Sequence, residues 1–185
     1  MRSATTDLQQ SDAFTAVRDA LALPETLTAL DQVGDPLHGR LQQVFGGRVG
    51  AALRGSWLGH PVHPIAVTVP VGSWTAAVLL ETFLRDHRAA RRLIGLGLIG
   101  VPFAALTGWA DWSARDLEER RAGLVHAAGV NLAALMMLSS YRQRRGGPTA
   151  RAEVTSLVAV VLAGAGGALG GHIAFGRVTG NPSER

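Results

Sequence analysis

The chain has 185 residues and a formal net charge of +4, and with no lysine its 18 basic residues are all arginine. It has no cysteine, which excludes disulfides, thiolate zinc sites, cysteine-held iron–sulfur clusters and cysteine nucleophiles within it. Mean hydropathy of +0.18 looks near-soluble only because it averages a polar segment with a very apolar one, so windowed hydropathy decides the class.

Residues 1–58 form a polar, amphipathic N-terminal extension. Its first 11 residues are expected to be disordered, and 12–32 to form short helices broken at Pro24. From Pro36 onward, Leu37, Leu41, Val44, Phe45, Val49 and Leu53 fall on one helix face, with Arg40 and Arg48 off it. Two readings stand for that face: a helix lying in the headgroup layer, or a soluble extension packed elsewhere. No signal peptide is visible, because the N-terminus is polar and carries both charge signs.

Residues 59–177 read as a membrane domain with spans at about 62–84, 93–112, 122–141 and 154–176, each long enough to cross a bilayer. Short arginine-rich loops join them. The expected fold is all-α: a membrane four-helix bundle, up-down-up-down, followed by a tail at 178–185. Pro61 and Pro64 suit the turn into the first span, and Pro70 and Pro102 should kink the first and second. Trp57, Trp74, Trp109 and Trp112 are placed at or near an interface, Trp74 deepest.

An internal repeat suggests two repeated helical hairpins. Sliding the chain by 63 without a gap lays ALTGW (105–109) on ALGGH (168–172) and His63 on His126. Such repeats pack about an axis along the membrane normal. The alternating order also brings His60, His63, Asp111, His126 and His172 to one face. Ionisable groups at span ends are functional candidates.

Two imidazoles opposed across a bundle suit axial ligation of haem b, so His63 and His126 are the expected iron ligands, with His60 or His172 as alternates. Gly164, Gly166, Gly167, Gly170 and Gly171 would leave room for a flat ring, although close helix packing explains such glycines as well. Asp111 is the expected acceptor for a ligand imidazole's other N–H. Asn131 is expected to bond between helices. Glu81 and Glu153 read as boundary charges at the opposite face. No P-loop, nucleophile elbow or fixed-spacing metal motif is present, so enzymatic activity is not expected. The rivals to electron transfer are a cofactor-free scaffold whose histidines satisfy helix ends, and a histidine-based metal-handling or transport protein.

The runs GSWLGHPVHPIAVTVPVGSWTAAVLLE, TGWADW, GLVHAAGVN and GGHIAFGR resemble the DUF2231 family of predicted bacterial membrane proteins, over about residues 30–180. The resemblance implies a four-span bundle. Some relatives carry a Rieske-type domain after the last span, which implies a redox context, with a Rieske or other redox partner at the face bearing the histidines.

The lack of lysine fits the codon bias of a high-GC bacterium, and the expected location is its plasma membrane. The partners are lipid headgroups rather than nucleic acid, with self-association into a homo-oligomer left open. Eight arginines in the hairpin loops (Arg85, Arg88, Arg91, Arg92, Arg142, Arg144, Arg145, Arg151) face six at the other end. That bias places the histidine face and both termini outside the cytoplasm.

Overall fold

The computed structural model describes residues 2–175, those before Asp12 by their helical backbone alone. The first residues, expected to be disordered, are part of one continuous helix from Arg2 to Ala22 that ends just before the Pro24 turn, in place of short helices; the tail at 178–185 lies outside the described residues. Every described element is a helix: α1 (Arg2–Ala22), α2 (Asp31–Phe45), α3 (Arg48–Leu53), α4 (Val62–Ala66), α5 (Thr68–Leu84), α6 (His87–Trp112), α7 (Leu117–Gln143) and α8 (Ala150–Phe175), with short 3-10 turns between some of them. Four stretches are long and apolar enough to span a membrane: Val62–Leu84, His87–Trp112, Leu117–Gly146 and Ala150–Phe175.

Helices α6 and α7, the second and third spans, begin earlier than their apolar runs because each is capped. The Asp86 carboxylate accepts the Ala89 N–H at 2.9 Å, and Asp116 accepts the Glu119 N–H at 3.1 Å. Arginines after each cap then extend the helix beyond the apolar stretch. In the first span the helix breaks at Val67, where Pro70 has no N–H to offer the Ala66 carbonyl. Helix α6 runs uninterrupted through Pro102.

Helix α5 packs along α6, and α7 along α8; the two hairpins meet through α6 with α7 and α5 with α8. The core where they meet holds Trp74, Ala77, Ala90, Ile94, Met137 and Ala159. Trp74 is only 3% exposed and donates its indole N–H to the Ile94 carbonyl at 3.3 Å, so it is a core residue and not an interfacial one. Trp112 is likewise buried, its N–H on the Arg120 carbonyl at 2.9 Å.

Burial repeats between the hairpins. Buried Pro70, Trp74, Ala77 and Glu81 correspond to buried Ala133, Met137, Ser140 and Arg144, each 63 residues on. Buried Ala90, Ile94, Gly97, Ala104 and Thr107 correspond to Ala152, Ser156, Ala159, Gly166 and Leu169, each 62 on. The second hairpin is therefore one residue shorter across its loop. The gapless alignment that paired Gly108 with Gly171 is corrected to Gly108 with Gly170.

The extension docks on the bundle end that carries the histidines. Its apolar face turns inward: Phe45 is buried, Leu37 and Leu41 are half-buried, and Gly34 meets Leu124. Part of this face therefore packs on protein, while Val44 and Val49 remain exposed. Two ion pairs and a histidine hydrogen bond fasten it. Arg121 grips Asp31 with two bonds of 2.7 and 2.6 Å, Arg120 meets Asp35 at 3.3 Å, and His172 meets Glu25 at 3.1 Å. The Arg121 hydrogen bond holds the Asp31 carboxyl below its usual range.

Candidate functional site

His63 stands in the first turn of α4, after the Pro61 cap, and His126 lies on α7. The His63 Nδ1 is 2.9 Å from the Ala104 carbonyl oxygen, and the His126 Nδ1 is 2.8 Å from that of Gly166. A carbonyl only accepts, so this network assigns the proton to Nδ1 in both rings. The Nε2 lone pair of each is then the atom free to bind a ligand. Ala104 and Gly166 are themselves corresponding positions in the two hairpins, so the histidines share one arrangement as well as one place in the repeat.

Each ring also rests on a glycine. A Cβ at Gly108 would lie 2.8 Å from His63 Cε1, and one at Gly170 would lie 2.9 Å from His126 Cε1. The ring centroids are 6.3 Å apart with planes at 86°. Around them is a cavity of about 390 Å³, within the range of small-ligand pockets. Val67, Val71, Val101, Ala127, Val130 and Ala163 give it apolar walls, and Trp109, Asp111, Arg115 and Glu119 also line it.

Of the residues singled out from sequence, His63, His126 and Asp111 line this cavity. Asp111 is not the imidazole acceptor expected of it, because backbone carbonyls take both N–H groups. His172 is engaged with Glu25, and His60 is exposed; neither lines the cavity. Gly167, Gly170 and Gly171 do line it, while a Cβ on Gly164 would meet only open space. Asn131 donates to the Ala127 carbonyl of its own helix at 2.7 Å instead of bonding between helices. His38 reaches the Ser113 carbonyl at 3.0 Å and sits edge-on to Trp112.

A second polar cluster occupies the opposite end. Glu81 is no boundary charge: its side chain is 4% exposed and pairs with Arg144, 2% exposed, at 2.5 Å. Arg144 also donates to the Ala152 carbonyl at 3.1 Å, to Ser156 Oγ at 3.1 Å, and to Ser140 Oγ. His87 Nδ1 lies 3.2 Å from Glu81 and 3.7 Å from Glu153. Glu81, His87 and Glu153 could in principle ligate a cation. However, Arg144 already engages both Glu81 oxygens, which makes this a structural joint. The sequence signal for it was the 63-residue spacing that also relates the two histidines.

Four apolar spans enclosing a two-histidine cavity define a polytopic membrane protein of the helical-bundle class. Residues 59–182 match the family described as predicted membrane protein (DUF2231), and the chain belongs to that family. No curated protein and no solved structure matches it.

Proposed function

We propose that this protein binds one haem b between its hairpins, with His63 and His126 as axial ligands, and acts as an electron-transfer subunit of a bacterial plasma membrane. The observation that carries the reading is the pair of matched imidazoles, each with Nδ1 committed to a carbonyl. Metal-binding histidines characteristically fix their second nitrogen in this way.

The donor set and walls fit the group. His63 and His126 would hold the iron as neutral ligands, and the valines and alanines would enclose the macrocycle; Arg115 at the wall is already paired with Glu119 at 3.4 Å. When bound, the group supplies one-electron transfer. The residues of the chain contribute orientation, exclusion of water and a fixed tautomer. An electron would be exchanged with a Rieske-type or other redox partner at the histidine end.

Consecutive spans alternate in direction on this reading. In support, the end of α5, the start of α6, the end of α7 and the start of α8 meet around Glu81, His87, Arg144 and Glu153. The arginine excess at that end supports placing it in the cytoplasm, with the histidine end outside.

The test is an absorption spectrum, oxidised and dithionite-reduced, of protein purified from cells supplied with a haem precursor. Near-stoichiometric haem with sharp reduced α and β bands, abolished by His63→Ala or His126→Ala, is expected. A colourless, folded protein from the same cells would overturn the reading and leave the scaffold or metal-handling alternatives, which elemental analysis separates.

A further inference from the structure

The hairpins differ most where their charges differ. Corresponding positions at the loop end carry opposite signs: Glu81 matches Arg144, and Arg91 matches Glu153. Glu81 and Arg144 satisfy each other, and Glu153 is faced by Arg85 and His87, both at 3.7 Å. Arg91 has no carboxylate within ion-pair reach among the described residues, and its buried Nε has no acceptor. That Nε is covered by protein, but the Nη groups of this half-buried cation have no hydrogen-bond partner among the described residues, which leaves them for an anion that the chain itself does not supply.

Its surroundings say which anion. The Arg91 guanidinium lies over the Tyr141 ring, 4.6 Å from the centroid, so α6 and α7 hold it jointly. Tyr141 reaches α6 because Gly95 leaves the space: a Cβ there would be 3.3 Å from the ring. Arg88 and Arg92 stand beside Arg91 on α6, and Arg142 follows Tyr141 on α7, all exposed. The apolar part of α6 begins at Leu93, which puts Arg91 at the boundary between headgroup and hydrocarbon. Further along, Leu96 and Ile99 of α6 and Leu135 of α7 are exposed, a surface suited to acyl chains.

We propose that the Arg91–Tyr141 junction of α6 and α7 is a binding site for the phosphodiester of an anionic phospholipid, in the leaflet at the hairpin-loop end. The planar guanidinium matches the phosphate fork, the tyrosine ring fixes its plane, and the neighbouring arginines select net negative charge.

The experiment is native mass spectrometry of the detergent-purified full chain after titration with dioleoyl phosphatidylglycerol or dioleoyl phosphatidylcholine. The wild type should retain phosphatidylglycerol with a preference of roughly fivefold or more. Arg91→Gln should lose that preference, and Arg151→Gln, at the same end on α8, should keep it. Tyr141→Leu, which preserves every charge, should weaken retention and serves if Arg91→Gln does not fold. Equal retention of the two lipids, or full preference in both Arg91→Gln and Tyr141→Leu, would overturn the proposal. Displacement of the lipid by millimolar inorganic phosphate would overturn the lipid assignment in favour of a free anion. None of these readouts depends on haem.

Discussion

Each imidazole in the cavity is fixed at two points, a carbonyl that takes its N–H and a glycine that its edge rests on. The two constraints lie one helical turn apart on a single neighbouring helix, so ring position and tautomer are set together. Gly170→Ala should therefore force His126 off the Gly166 carbonyl. Overpacking of this kind costs about 1–3 kcal/mol. Thermal unfolding in detergent should show the loss; an unshifted melting temperature would mean that the ring tolerates displacement. His63 and His126 could be picked out from sequence because the repeat paired them. Their acceptors could not, since a backbone carbonyl has no identity in the sequence. Asp111 was the visible candidate only because it has a side chain.

At the scale of elements, the N-terminal extension is held by charge as much as by its apolar face. The link between Asp31 and Arg121 has a pH signature. The folded-state value of Asp31 lies below its ordinary one, so its stabilising contribution is complete above the ordinary carboxylate range. That contribution is lost as pH falls through the depressed value. Protease cleavage between α1 and α2, around Pro24, should accelerate in the wild type as pH drops through that acidic window. Asp31→Asn should cleave fast at neutral pH and lose much of that pH dependence. Equal rates for the two proteins at neutral pH would show that the apolar contacts suffice. The periodicity of Leu37, Leu41 and Phe45 announced an amphipathic helix. It could not say whether lipid or protein would cover that face, because both are apolar solvents for it. The protein partners it does meet, Leu124 and Arg121, lie far along the chain.

For the whole molecule, the four spans were plain from hydropathy, and their correspondence was only partly so. A gapless comparison found the histidines but missed the shorter second loop, because small residues match at several registers along a helix. The buried Glu81–Arg144 pair escaped notice since each residue sits beside a loop, where charges are ordinarily solvated. Glu81→Gln leaves Arg144 buried without its counter-charge and should destabilise the bundle by about 3–5 kcal/mol. Exchanging the two, Glu81→Arg with Arg144→Glu, should recover much of that loss if the halves are as equivalent as their burial pattern indicates. Thermal unfolding of the single and double variants forms the test. A double variant no better than the single one would show that the serines on α7 and α8 favour arginine on their own side.

That exchange of sign also governs which halves can associate. Two copies of the first hairpin would set glutamate against glutamate in a dry joint, and two copies of the second would set arginine against arginine. Only unlike hairpins close without stranding a charge. Produced as separate polypeptides cut at the connection between α6 and α7, the two hairpins should recognise each other and reject themselves, a pairing rule written in a single buried contact.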